Sequence, residues 1–280
     1  MILIADSGST KTDWCYIDTD HELRFVTQGI NPVLQTEEAI SRIISEELLP
    51  QMCGCCPLSI YFYGAGCTKE KREIVSQTLL KAFPQVQKIE VNSDLLGAAR
   101  ALCGREEGIA CILGTGSNSC YYNGTEIIAQ TSPLGYILGD EGGAAYIGKR
   151  LIGNCLKHQF SDLTCELFFQ ETSLTLTNII DKVYKQPMPN RFLGEISQFC
   201  QHHLDIAEVR EFVVDCFCEF IIRNIDYYHS GNPKINCVGS IAYVYRSEFE
   251  EAAKKCGYEL GKVIKAPIDE LIKYHKMMRE

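Results

Sequence analysis

The chain is constrained most by a strand–turn–strand pattern at its start that returns further along. An apolar run, Ile2 to Ala5, leads to Asp6. A turn of small residues, Ser7-Gly8-Ser9-Thr10, is followed by Lys11, Thr12 and Asp13, and then by a second apolar run, Trp14 to Ile17. Small residues let the backbone come close to a ligand, and successive N–H groups in such a turn form a concave seat for an anion. Ser9, Thr10, Lys11 and Thr12 add donors. A carboxylate at Asp6 fits beside an anion if a divalent cation lies between them, and oxygen ligands with bound water suit Mg²⁺. The same residue types also make an ordinary surface hairpin, so the turn alone leaves both readings open.

The pattern recurs as Ile109 to Leu113, the polar turn Gly114-Thr115-Gly116-Ser117-Asn118, and Ser119 to Tyr122. A third strand follows each copy: Leu23 to Gln28 in the first, and Glu126 to Gln130 in the second, after the two-residue hairpin signal Asn123-Gly124. Residue identity between the copies is low, yet a repeated unit of this kind is expected to make two halves facing one another.

Between and after the copies, strands alternate with helices. Residues 36–49, 69–83 and 94–102 have helical spacing, with Thr36 as an N-cap, and strands are expected over 59–63 and 88–91. Residues 144–158 and most of 162–230 are expected to be helical, broken at Pro187 and Pro189. A strand over 235–238, a helix over 244–255, a strand over 259–264 and a final helix from Ile268 complete the chain. Alternation of this kind predicts an α/β fold with partly parallel sheets covered by helices. The expected domains are 1–104 and 105–265, the second carrying a helical insertion, with the helix of 266–280 packing back on the first. Trp14 is expected to be a half-buried strand residue.

Composition excludes some classes. Hydrophobic residues make up 46% and charged residues 22% of 280 residues, a globular balance. The formal net charge of -9 argues against general affinity for nucleic acid or anionic membrane, while leaving room for a nucleotide in a local site. Neither a signal-peptide pattern nor an apolar run of about 18 residues is present, so a cytoplasmic protein is expected. The 15 cysteines are then expected to be reduced thiols. The groups Cys53, Cys55, Cys56 and Cys200, His202, His203, Cys216, Cys218 are read as small core residues or helix-surface residues rather than metal ligands.

Taken in order, the segments Asp6 to Asp13, Asn92-Ser93-Asp94, Gly114 to Asn118, Gly139-Asp140-Glu141-Gly142 and Gly239-Ser240-Ile241-Ala242 resemble N-acetylglucosamine kinases. They are similar to the wider group that includes the BadF/BadG/BcrA/BcrD-type ATPases. That group shares the actin, hexokinase and heat-shock ATPase fold, two ribonuclease-H-like domains around a nucleotide cleft. The resemblance implies ATP and Mg²⁺ as cofactors and an amino sugar as substrate, N-acetylglucosamine or glucosamine, phosphorylated at the 6-hydroxyl. It implies that Gly8, Ser9, Thr10, Lys11 and Thr12, with Gly114, Thr115, Gly116 and Ser117, hold the ATP phosphates. Gly239 and Ser240 would lie beside adenosine, Asp6 would hold Mg²⁺ through water, and Asp94 would be the base on the sugar hydroxyl. Asn31, Asn118 and Asp140 would contact the sugar. The role of Glu141 and the oligomeric state, a homodimer among the outcomes, stay open.

Each residue also has a plainer reading. Asp94 is placed where an Asp caps a helix, Asp140 and Glu141 where acids favour a helix N-terminus, and Asn31 before Pro32 where a turn is expected. Two other functions fit the same fold. One is an ATPase that activates a 2-hydroxyacyl-CoA dehydratase or aryl-CoA reductase through a shared iron–sulfur cluster, with Cys111 or Cys120 as the cysteine near the second turn. The other is a non-catalytic sugar sensor.

Overall fold

The computed structural model describes residues 1–8, 10–19, 21–228, 231 and 234–277. In chain order it contains β1 (Ile2–Ser7), β2 (Lys11–Ile17), β3 (Glu22–Gln28), α1 (Glu37–Arg42), α2 (Leu49–Met52), β4 (Ser59–Gly64), α3 (Arg72–Ala82), β5 (Lys88–Ser93) and α4 (Asp94–Cys103). A π-helical turn, Ile43–Leu48, joins α1 to α2 in one continuous stretch. There follow β6 (Glu107–Leu113), β7 (Ser117–Asn123), β8 (Ile127–Gln130), α5 (Gly135–Leu138), α6 (Ala144–Leu156), α7 (Asp162–Thr172), α8 (Leu176–Tyr184), α9 (Pro189–Ile196), α10 (Gln198–His202) and α11 (Ala207–Asn224). The chain ends with β9 (Lys234–Val238), α12 (Ser240–Val244), α13 (Arg246–Lys255), β10 (Glu259–Ile264) and α14 (Ile268–Lys276). It divides into two compact units. The first is Met1–Glu106 with Gly124–Glu126 and Ala266–Glu280; the second is Glu107–Asn123 with Ile127–Lys265.

The repeat seen in the sequence is a repeat of topology. The first sheet runs β3-β2-β1-β4-β5 and the second β8-β7-β6-β9-β10. In each, the central strand pairs antiparallel with the strand after its turn and parallel with a strand reached through helices. Such central strands are apolar almost throughout because both faces are covered. Leu3, Ile4 and Ala5 of β1, and Ile109, Ala110 and Cys111 of β6, are fully buried. Parallel pairing also aligns the strand ends. Ser7 lies opposite Gly64, and Gly64 opposite Ser93, so the C-terminal ends of β1, β4 and β5 share one edge. The ends of β6 and β9 do the same, with Ile112 opposite Val238. In open α/β sheets that edge is where ligands bind.

Trp14 departs from expectation. It is fully buried rather than half-buried, packed beside Phe62 with ring centroids 5.7 Å apart. Its indole N–H donates to Thr27 Oγ1 at 3.0 Å, and that bond removes the cost of burying the one polar atom of the ring. Helix α3 begins at Arg72 rather than near Lys69, because residues 66–71 are wound into hydrogen-bonded turns in which Thr68 N–H donates to the Gly66 carbonyl. Pro189 takes the first turn of α9, where its missing N–H costs nothing.

In the first unit α4 sits close on β4, since a Cβ on Gly97 would lie 2.8 Å from Tyr63 Cβ. Helix α14 packs on α4, β1 and β2. Its His275 ring stacks on Tyr61 at 3.9 Å, and His275 Nε2 lies 2.8 Å from the Tyr63 hydroxyl, which also accepts from Arg100 at 2.7 Å. The second unit carries the helical insertion, and the core of this unit includes Phe168, Phe217, Phe220 and Phe249. Among the described residues no helix is long and apolar enough to cross a membrane.

Candidate functional site

In the first unit the β1–β2 turn is tied down from beneath. Ser7 is buried; its Oγ lies 2.7 Å from Thr12 Oγ1 and 3.0 Å from the Ile30 carbonyl, and it accepts from the Ile30 N–H at 2.9 Å. Thr12 is buried too, with its hydroxyl also 3.2 Å from the Gln28 carbonyl. This corrects one expectation: the Thr12 hydroxyl is committed to the sheet and is not a donor facing a ligand. The Gly8 N–H likewise closes the turn onto the Lys11 carbonyl at 3.0 Å. Thr10 and Lys11 are exposed, and Lys11 Nζ reaches Asp13 at 2.8 Å. Ser9 lies outside the described residues.

Acid gathers beside that turn. Asp6 faces Asp13 across the β1–β2 pair. Burial first, then the charges of Asp13 and Asp94, push its pKa from 3.8 to about 7 against the pull of Lys11. Asp94 is the first residue of α4, and the helix cap is Ser93, whose Oγ accepts from Leu96 N–H at 3.2 Å. The plainer reading of Asp94 as the N-cap therefore fails. Strand β5 runs on through Ser93, which leaves Ser93 in the extended conformation that a cap needs. One Asp94 oxygen accepts from Leu95 N–H at 2.8 Å. Burial raises its pKa, with the backbone N–H groups of Leu95 and Asp94 pulling the other way.

Asn31 is buried next to the Gly64–Gly66 turn, where a side chain on Gly66 would collide with Asn31 Oδ1. Its amide oxygen accepts from Val33 N–H at 3.0 Å, and its own N–H donates to Gln35 Oε1 at 2.8 Å. The turn role expected of Asn31 is thus present.

In the second unit the Gly114–Asn118 turn is clamped to the start of α6. Gly114 N–H bonds to the Gly116 carbonyl at 3.0 Å, and the carbonyls of Gly114 and Thr115 accept from Ala144 and Ala145 at 2.9 Å. Gly116 lets Asp140 come close, since a Cβ there would lie 2.7 Å from Asp140 Oδ2 and the carboxylate would have to shift. Asp140 has a φ of 56°, a left-handed conformation that is uncommon outside glycine and clusters at functional sites. Burial raises its pKa, Ser117 N–H opposes the rise, and the neighbouring Glu141 charge adds to it. Glu141 is buried and accepts from Asn224 Nδ2 at 3.2 Å. Gly239 has a φ of 133°, and a side chain there would collide with the Leu113 carbonyl. The end of β9 is therefore pressed against the end of β6, where the turn begins.

Two cavities open beside the Gly114–Asn118 turn. One, of about 290 Å³, is lined by Thr115, Ala144, Gly194, Gln198, Ser240 and Tyr245 among others. The other, of about 260 Å³, is lined by Ser117, Asn118, Asp140, Glu141, Arg223 and Asn224 together with an apolar wall. Five of the sequence-predicted residues of this unit line these cavities, while Gly114, Gly116 and Gly239 line neither. Thr115 and Ser240 share one cavity, and Ser117, Asn118 and Asp140 share the other, so residues of the turn line both. Sequence reasoning missed Gly194 and Gln198 from the helical insertion, and Arg223 and Asn224 at the end of α11. No local motif marks them.

A duplicated ribonuclease-H-like topology, with a polar glycine turn after each central strand, is the fold of the actin-like ATPases. No protein-family model and no curated protein matches the sequence, but solved structures do. The chain is 47% identical to a candidate N-acetylglucosamine kinase from Porphyromonas gingivalis, over the full length of both chains, with a TM-score of 0.93. A candidate N-acetylglucosamine kinase from Chromobacterium violaceum shares the fold at 13% identity over 98% of each chain, TM-score 0.73. A ROK-family glucokinase from Streptomyces griseus, solved with glucose and AMPPNP, shares it at 9% identity, covering 95% of this chain and 94% of its own, TM-score 0.53. The chain belongs to the N-acetylglucosamine kinase-like family of actin-like ATPases, and so to the sugar kinases.

Proposed function

We propose that this sugar kinase transfers the γ-phosphoryl group of ATP to an amino sugar, N-acetylglucosamine or glucosamine, at the 6-hydroxyl. The observation that carries the reading is the Gly114–Asn118 turn, whose residues line two cavities. A kinase has to hold a nucleotide and an alcohol at the two ends of one phosphoryl transfer. Here residues of one turn line both a cavity that includes Ser240 and a cavity that includes Asn118 and Asp140. The first suits adenosine, beside Gly239 and Ser240. The second suits a monosaccharide, whose hydroxyls pair with a few placed polar groups.

Phosphoryl transfer needs positioning and charge stabilisation more than covalent help. In this reading Gly8, Ser9, Thr10 and Lys11 in one unit, and Gly114 to Ser117 in the other, are the phosphate-binding turns. Thr12 serves the first turn from beneath through its bond to Ser7. Asp94 takes the proton of the acceptor hydroxyl. Its raised pKa makes it a stronger base than an exposed carboxylate while one oxygen stays anchored on Leu95. Asn118 and Asp140 orient the sugar, with Asn31 as a further contact. The residues around Asp6 fit Mg²⁺: three carboxylates, Asp6, Asp13 and Asp94, lie near one lysine, a surplus of negative charge that a hard cation relieves. Asp6 would hold the ion through water, and the ion supplies neutralisation of phosphate charge.

A dehydratase-activating ATPase needs a cysteine at the surface for a cluster shared between copies. Cys111 and Cys120 are both fully buried in their sheet, which disfavours that role. Measuring ADP formation with a panel of free sugars and a no-sugar control tests the kinase reading. Turnover is expected only with sugar, highest with amino sugars. Equal turnover without sugar means an energy-coupling ATPase, and binding without turnover means a sensor.

A further inference from the structure

Three elements of the first unit meet at one buried hydroxyl, that of Tyr63. Tyr63 lies on β4, in register with Asp6 of β1 on one side and Asn92 of β5 on the other. Its ring is fully buried and fills the space beneath α4, where a Cβ on Gly97 would lie 2.8 to 3.0 Å from Tyr63 Cβ, Cγ and Cδ1. Asp94 and Gly97 are three residues apart and so share one face of the helix. The ring that seats Gly97 therefore lies about one turn from the Asp94 carboxylate. Further along α4, Arg100 Nη1 donates to the Tyr63 hydroxyl at 2.7 Å, and His275 Nε2 of α14 lies 2.8 Å from the same oxygen. A phenol hydroxyl has one proton and a second lone pair, enough for both partners. Arg100 also reaches Glu90 of β5 at 3.5 Å and lies over the Tyr274 ring, 5.4 Å from its centroid.

As a means of holding helices together this tie is expensive. The Arg100 side chain is only 15% exposed, and Arg100 Nε and His275 Nδ1 are buried without a partner among the described residues. Each such atom carries a desolvation cost, and apolar side chains of similar volume often hold a buried position as well or better. What the polar tie adds is geometry, because hydrogen bonds fix distance and angle. At the start of the same helix Asp94 keeps one oxygen on Leu95 N–H at 2.8 Å, and Ser93 Oγ accepts from Leu96 N–H at 3.2 Å. The carboxylate is thus fastened to the first turn of α4 and moves with it. We propose that Tyr63, Arg100 and His275 are positioning residues for Asp94: their shared hydroxyl sets where α4 lies on the sheet, and α14 braces that hydroxyl from the other side. The proposal rests on the reading of Asp94 as the base of the sugar kinase.

The test compares steady-state kinetics with ATP and N-acetylglucosamine for the unaltered chain, Tyr63→Phe, His275→Leu, His275→Gln, Leu79→Val and Asp94→Asn, each checked by circular dichroism at the assay temperature. Tyr63→Phe keeps the ring beneath Gly97 and loses only the tie. Its kcat should fall about 5- to 50-fold with KM for ATP within about twofold, since a misplacement of about 1 Å at a reacting group costs ~10²-fold. His275→Leu should act the same way from α14. His275→Gln, whose amide meets the hydroxyl, should keep kcat within about threefold. Leu79→Val trims the buried face of α3, which carries no predicted site residue, and should lower the melting temperature with kcat intact. Hydrogen exchange at the Leu95 and Leu96 amides reads the start of α4 without turnover; it should quicken in Tyr63→Phe and His275→Leu and not in His275→Gln or Leu79→Val. Intact kcat in Tyr63→Phe beside an inactive Asp94→Asn, or unchanged exchange at the two amides, overturns the tie and leaves the kinase reading standing. An equal loss of kcat in Leu79→Val also overturns it, by assigning the effect to general loosening. Near-normal turnover in Asp94→Asn refutes the reading of the base and the positioning role with it. Should Tyr63→Phe fail to fold, the two His275 variants decide: equal kcat in Leu and Gln overturns the proposal.

Discussion

At the scale of single residues, the decisive neighbours are Ser93 and Asp94. Both can cap a helix, and sequence alone does not choose between them. The structure gives the cap to Ser93, which leaves the Asp94 carboxylate at the end of its sheet with a raised pKa and one oxygen anchored. Asp94→Asn is expected to lower kcat by roughly 10²- to 10⁴-fold while ATP affinity, measured by equilibrium binding, stays within a few-fold, because the amide keeps the shape but takes no proton. Turnover near the unaltered rate would remove Asp94 from the chemistry. Gly116 and Gly239 show a different residue-scale constraint. At Gly239 the Leu113 carbonyl occupies the space of a side chain and φ is positive, while at Gly116 a side chain would displace the Asp140 carboxylate. Neither neighbour lies close in sequence, so a glycine in a turn can be read there, but not its partner.

At the scale of elements, two packings set the first unit. Helix α4 approaches β4 through Gly97, so Gly97→Ala has to push the helix off Tyr63. It is expected to cost about 1–3 kcal/mol in chemical denaturation and, because α4 carries Asp94, to lower kcat as well. A stability loss with kcat intact would show that the helix position does not matter to Asp94. Helix α14 is held by His275, which is buried and faces Tyr61, Tyr63 and Arg100, with Glu90 and Lys88 nearby. Burial, then Arg100, lower its pKa from 6.5 to about 4, against the pull of Glu90. Between those values the unfolded chain binds the proton and the folded chain does not. The His275 contribution to stability is therefore complete above pH 6.5 and is lost as pH falls towards 4. The melting-temperature advantage of the unaltered chain over His275→Gln should shrink across that window, and an advantage independent of pH would contradict the assignment.

These elements are largely legible in the sequence. Apolar runs bounded by small residues mark the strands, and Thr36 marks the first helix cap, because strand burial and capping act over a few residues. Where expectation and structure part, the cause is a partner or a turn that the local pattern does not show. The start of α3 is delayed by turns that a charged stretch does not advertise, and the burial of Trp14 depends on Thr27, a partner from the next strand.

At the scale of the whole molecule, the same sheet topology is used twice, and in each copy a polar turn follows the central strand. Under the proposed function Mg²⁺ would be held largely by nucleotide phosphates and water, as is usual for that ion. Chelation with EDTA is expected to abolish turnover, and added Mg²⁺ to restore it, with the circular dichroism spectrum and melting temperature unchanged. Unfolding on chelation would mean a structural metal instead.

What the sequence determined by itself is the repeated strand–turn–strand order, the α/β class and the residues of both polar turns, since all of these follow from side-chain size, polarity and spacing over short stretches. Only the tertiary structure decided which groups share a cavity. Gly194 and Gln198 come to line a cavity with Thr115, and Arg223 and Asn224 one with Asp140, through the packing of the helical insertion. The reason is physical: an amphipathic helix states that one face must be buried, but not against what, and that choice is made by the packing of the whole unit.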